Sequence, residues 1–137
     1  MNTSHYPFID RAAHCLRTYS TLRIYPKNLS SDTVDQTLAL PDTRLWRKSA
    51  GKHFNGVFFT TKGRVNSLNT LDHISFLLDH LEQKQQAIAD IIADGGHINI
   101  INFWHSDGQG GPGLSIEIMQ RLCALGIAID WNVYAKR

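Results

Sequence analysis

The first regular pattern along the chain is an alternation. In CLRTYSTLRIY (15–25), Leu16, Thr18, Ser20, Leu22 and Ile24 share one parity, and Arg17, Tyr19, Thr21, Arg23 and Tyr25 share the other. This predicts a half-buried strand, ended by Pro26, which cannot donate to a ladder. A short helix is expected next. Ser30 or Ser31 is placed to cap it, Asp32 lies in its positive first turn, Val34 and Leu38 share a face, and Pro41 closes it. Residues 43–48 and 57–61 read as a hairpin, with Gly51, Asn55 and Gly56 in the connection. From Thr70 to Asp94 the period becomes helical. Leu71, Ile74, Leu78, Leu81, Ile88, Ile91 and Ile92 make an apolar stripe opposite Asp72, Ser75, Asp79 and Glu82. The polar run 82–86 leaves open whether this is one helix or two, and Gly95-Gly96 stops it. Residues 97–104 then read as a strand, and 115–125 as a helix capped by Ser115 and ended by Gly126. Residues 127–135 read as a strand with Ile127, Ile129, Trp131 and Val133 on one side and Ala128, Asp130, Asn132 and Tyr134 on the other.

These elements predict an α+β fold. A mostly antiparallel sheet of about five strands carries helices on one face, like a ferredoxin-type plait extended by one helix and one strand. Residues 1–14 are read as an N-terminal extension and 15–137 as a single domain. That length supports one core without a disulfide or metal. The two cysteines, Cys15 and Cys123, are expected as buried free thiols in a reducing compartment. No apolar run approaches membrane-spanning length, and Asp10 and Arg11 interrupt the stretch where a signal peptide would be apolar. A cytoplasmic location and no membrane partner are expected. Leu29-Ser30-x-Asp32…Leu40-Pro41 also echoes Leu114-Ser115-x-Glu117…Leu125-Gly126, a faint sign of a repeated βαβ-like unit.

Charge changes the picture along the chain more than in total. Residues 1–64 carry ten Lys/Arg against four Asp/Glu, while 65–135 carry two against eight, within a net charge of +2. In the basic part, Arg44, Arg47, Lys48, Lys52, Lys62 and Arg64 are interleaved with Trp46, Phe54, Phe58 and Phe59. Cations alternating with stacking rings are what single-stranded nucleic acid requires. The low net charge and the usual core role of hairpin aromatics weigh against that reading.

Gly108-Gln109-Gly110-Gly111-Pro112-Gly113 has the form of a dinucleotide fingerprint, following a strand and preceding a helix, with Asp130 about twenty residues on. Pro112 removes an N–H donor, and the helix cap Ser115 follows the last glycine where that glycine should lie inside the helix. A flexible loop is the blander reading. His105 and Asp107 adjoin it, giving a candidate loop site of His105, Asp107, Gly108, Gly110, Gly111 and Gly113. Among the seven histidines, His73 and His80 are two turns apart, and His97 and His105 bracket one strand. Neither spacing suits a metal, and no metal or cofactor is expected.

The remaining candidate is the polar side of the sheet: Arg17, Tyr19, Arg23, Tyr25, His97, Asn99, Asp130, Asn132 and Tyr134. Tyrosine and arginine dominate protein interfaces because they offer rigid area and several hydrogen bonds. An ordinary solvated sheet face is the competing reading.

The strand 17–24, the Leu-Ser helix ending at Leu40-Pro41, Trp46-Arg47-Lys48…Gly51, the helix 71–81, the strand 98–104 and the Leu114-Ser115 helix feeding 127–134 together resemble a small bacterial family. It is known as domain of unknown function 4279. The resemblance spans roughly Arg17 to Tyr134 and carries no catalytic residue with it. It implies a stand-alone bacterial cytoplasmic protein, some similar ones being suspected immunity proteins. The leading expectation is therefore a non-enzymatic module that binds and blocks a cognate toxin domain. One alternative is a small-molecule or nucleotide-handling enzyme using the 108–113 loop. The other is a nucleic-acid binder using the 44–64 hairpin. Oligomeric state is left open.

Overall fold

The eleven residues from Cys15 to Tyr25 form strand β1, in a computed structural model that describes residues 15–108 and 110–135. The expected extension 1–14, loop residue Gln109, and Lys136 and Arg137 lie outside the described residues. Helix α1 (Ser31–Leu38) begins at Ser30, whose hydroxyl accepts the Thr33 N–H, and ends where Ala39 turns left-handed at φ 51°. Strands β2 (Arg44–Trp46) and β3 (Gly56–Thr60) form the hairpin. A Cβ on Gly56 would stand 2.8 Å from the Phe58 ring, so any side chain here would have to displace that ring. Helix α2 (Thr70–Leu81) is capped by Asn69, and α3 (Gln85–Ala93) follows a 3₁₀ turn at Glu82–Lys84. The long periodic segment is thus two helices, broken at its polar run. Strand β4 (His97–Ser106), helix α4 (Ile116–Leu125) and strand β5 (Ala128–Ala135) complete the chain. Gly126, at φ 72°, supplies the left-handed end of α4.

The five strands lie in the order β2-β3-β1-β4-β5. β1 pairs antiparallel with both β3 and β4, and β2 with β3, whereas β5 runs parallel to β4. The first four strands are therefore the split βαβ plait, and α4–β5 is the added unit, as the sequence predicts. The helices cover one side, on a core of Leu22, Ile24, Val57, Phe59, Leu78 and Ile100 with their neighbours. No helix among the described residues is long and apolar enough to cross a membrane.

The covered side also buries polar groups. His73 is almost fully buried. Its Nε2 donates to the Ser67 carbonyl at 2.8 Å, and its Nδ1 lies 2.6 Å from the Thr61 hydroxyl. In the neutral tautomer with Nε2 protonated, Nδ1 accepts from that hydroxyl, which itself accepts the Ser20 N–H. Asn102, fully buried, accepts from the Ser20 hydroxyl and donates to the Asp130 carbonyl.

Four expectations shift. Cys123 is exposed and only Cys15 is buried, because the buried face of α4 is set by Ile118, Leu122 and Leu125. Leu16 is exposed where the β1–β4 register shifts between Cys15 and Arg17. Ile92 also reaches solvent at the end of its stripe. On the inner side of β5, Ile129 and Trp131 are half-buried and Val133 is exposed, since β5 is an edge strand with α4 as its covering helix.

Candidate functional site

The cross-strand register decides which side chains share the open side of the sheet. Arg17, Tyr19, Thr21, Arg23 and Tyr25 of β1 stand opposite His105, Phe103, Ile101, Asn99 and His97 of β4. The latter stand beside Tyr134, Asn132, Asp130 and Ala128 of β5. Phe58 and Thr60 of β3, and Arg44 and Trp46 of β2, lie on the same side. The nine sheet residues singled out from sequence therefore fall on one face. Asn99 alone is not displayed: it is buried, because Arg23 Nε donates to its carbonyl at 2.9 Å and its amide donates to Asp130 at 2.7 Å. It links Arg23 to Asp130 beneath the surface.

What parity alone does not show is how many rings gather here. Tyr19 stacks on Phe103 at 4.8 Å with planes 16° apart, and Phe103 meets Tyr134 at 5.2 Å. At the other end of the face, Trp46 packs on Phe54 and Phe58, and Tyr25 meets the same two rings edge-on. Between the two clusters lies a hollow of about 280 Å³, with Thr21, Ile101 and Asn132 among its lining residues and Arg23 and Arg44 at its sides. Cations lie over the rings: Arg17 over Tyr19 and Phe103, Arg44 over Phe58, Lys52 over Trp46, and Lys62 over Tyr19. The hairpin aromatics thus divide, Phe59 into the core and Trp46 and Phe58 onto the open face.

The charge asymmetry along the chain becomes an asymmetry in space. Arg17, Arg23, Arg44, Lys52 and Lys62 mark the open face, where Asp130 is the one acid on the described strands. The helices carry Asp32, Asp35, Asp72, Asp79, Glu82, Asp90 and Glu117 against Lys84 and Arg121. Some of these pair locally. Arg121 holds Glu82 and Asp79 at 2.7 Å, and Arg47 holds Asp32 at 2.8 Å. These guanidinium bonds keep the Glu82 and Asp32 carboxyls below their ordinary range.

The candidate loop site does not come together as one group. His105 belongs to β4 and lies on the open face beside Arg17 and Tyr134, while Asp107 and Gly108 follow the strand's end. Gly111 and Gly113 have open space where a Cβ would stand. The first turn of α4 is capped by its own Ser115, which accepts the Ile118 N–H. Asp130 stands beside Ile101, five residues back along β4 from Ser106, and His97 is at the strand's far end. The cavity that does adjoin the loop, about 720 Å³, lies on another side, among Cys15, Leu68, Leu71, Trp104, Pro112 and Leu114. Burial pushes the Cys15 thiol up, the direction opposite to that of a reactive thiolate. No group of three or more His, Cys, Asp or Glu suited to a metal occurs among the described residues.

The sequence reading missed Thr21, Ile101 and Phe103. Their signal was available: Phe103 shares the parity of His97 and Asn99 on β4. Comparison with known proteins adds one match. A family model described as a domain of unknown function (DUF4279) matches residues 17–136. No curated protein and no solved structure matches the chain.

Proposed function

The chain belongs to the DUF4279 family, and from that premise we propose that it is a binding module whose working surface is the open face of the sheet. Its partner is a protein, and the role is that of a bacterial immunity protein covering a cognate toxin domain in the cytoplasm. The observation carrying this reading is the open face itself, where the half-exposed rings of Tyr19, Trp46 and Phe103 are overlaid by guanidinium and ammonium groups. Large apolar side chains left outside a core are the informative exception to burial, and Tyr, Trp and Arg are the types that anchor interfaces. A standard footprint of about 800 Å² per partner fits on five strands. The hollow between the two ring clusters offers a seat for one projecting side chain. The work asked of these residues is recognition, with no bond made or broken.

The test pairs the chain with a toxin domain encoded beside it. Co-expression should protect cells, and the Arg17→Glu/Arg44→Glu variant should bind at least tenfold more weakly while remaining folded. Protection unchanged by that variant, or no toxin neighbour at all, would count against the reading.

A second reading is favoured by the segregation of charge. Partly exposed rings on the adjacent strands β1 and β4, Tyr19 and Phe103, with cations around them, also suit single-stranded nucleic acid. Anisotropy with a fluorescent ten-nucleotide oligo-dT separates the two. Binding whose affinity falls steeply with salt, and collapses in the same variant, would favour nucleic acid.

A further inference from the structure

The two edges of the sheet are finished differently. The β2 edge is three residues long and runs into a 3₁₀ turn at Lys48–Ala50. The β5 edge is eight residues long, AIDWNVYA, pairs without a register break, and contains no proline, lysine or arginine. Natural edges are usually shortened, bulged or charged, because a bare row of N–H and C=O groups recruits another strand. Half of the exposed large apolar side chains among the described residues lie on this α4–β5 unit. Val133 is 52% exposed and Tyr134 49%, and on the helix of the same unit Ile116 is 67% and Met119 43% exposed.

We propose that β5 pairs antiparallel with β5 of a second copy, about a two-fold axis at Asn132, joining two sheets into one of ten strands. The strand is self-complementary in this register. Trp131 falls opposite the second copy's Val133 on the helix side, an aromatic–β-branched pair of the kind that stabilises sheets. Asp130 falls opposite Tyr134 on the open side, so the two Asp130 carboxylates do not face each other. At the axis, two Asn132 amides meet, each able to donate and accept. Because opposed residues keep the same parity, both helix layers lie on one side and both open faces on the other. Such a flank is about 26 Å long and about 20 Å deep, from strand rise and layer thickness. It buries roughly 1,000 Å² in total, the lower bound for a specific interface, so the dimer is expected in the micromolar range. This inference is independent of which partner the open face takes.

The test uses the full chain and a Cys123→Ser background, since Cys123 is exposed. Sedimentation equilibrium between 1 and 200 µM should show a reversible dimer. Val133→Lys should raise its dissociation constant about tenfold or more, with an unchanged circular dichroism spectrum. In a scan of single cysteines at 130 to 134, Asn132→Cys should cross-link fastest on mild oxidation, because residues at the axis face each other within disulfide reach. A monomer at every concentration overturns the proposal. Fastest cross-linking elsewhere, or a dimer indifferent to Val133→Lys, overturns the proposed pairing.

Discussion

The two faces of this sheet come from the same strands, yet each carries its own exception to the usual rule of what lies inside. On the covered face, Thr18, Ser20, Thr61, His73 and Asn102 are buried among leucines and isoleucines, and no buried side-chain N or O among the described residues lacks a hydrogen-bond partner. On the open face, Tyr19, Tyr25, Trp46 and Phe103 are only partly covered, and Phe54 and Tyr134 are exposed. Each buried polar group is bonded to another such group or to backbone. The exposed rings keep area to spare. The difference between the faces therefore lies in unmet contact area more than in polarity.

Substitutions that treat the faces alike should therefore give unlike results. The largest stability loss is expected for Phe59→Ala, on the inner side of β3, at about 3–5 kcal/mol from lost burial and the cavity left behind. Urea denaturation would measure it. Asn102→Ala should cost about 2 kcal/mol, because the Ser20 hydroxyl and the Asp130 carbonyl lose a buried partner. Tyr19→Ala, on the outer side of β1, should cost about 1 kcal/mol or less and yet abolish partner binding. If it unfolds the chain as Phe59→Ala does, the contrast between the faces fails.

The smallest effect is acid sensitivity, and it belongs to the helix layer and its junctions. Arg121 lowers Glu82, Arg47 lowers Asp32, and the Asn28 N–H lowers Asp94 relative to their ordinary values. Groups whose folded values lie below their unfolded ones stabilise at higher pH and lose that contribution as pH falls through the folded values. Stability should thus decline as pH drops below about 4.5, where the unfolded carboxylates begin to hold protons. Glu82→Gln should flatten that decline. Melting temperatures at pH 6, 4.5 and 3 would show whether it does.

Much of the fold was legible because period carries it. β1 could be bounded by eleven alternating residues and a proline, and α4 by Ser115 and Gly126, since caps and parity are local properties. The break between α2 and α3 was visible only as a question, because Glu82-Gln83-Lys84 suits a helix and a 3₁₀ turn alike. The site was half legible. Arg17, Tyr19, Arg23 and Tyr25 could be assigned to the outer face, but depth depends on what lies across the strands. Asn99 therefore looked displayed while it is buried under Arg23 and Asp130. Trp46 looked like core and is only partly covered, because a three-residue strand gives parity little to work with, whereas Phe58 of β3 is buried, but beneath the rings of the open face. Cys123 was misplaced for a similar reason: an apolar residue on a helix is buried only if the neighbouring layer reaches it.

The separation of charge between the layers has a kinetic side. Among the described residues, five cations mark the ring-bearing face and seven carboxylates lie on the helices, a separation that directs a dipole component across the two layers. An anionic body drifting within about a Debye length, roughly 8 Å at physiological salt, is turned toward the aromatic side before any contact is made. For such a body, selection would begin during diffusion, and its first mark would be on the rate of encounter, not on the lifetime of a complex.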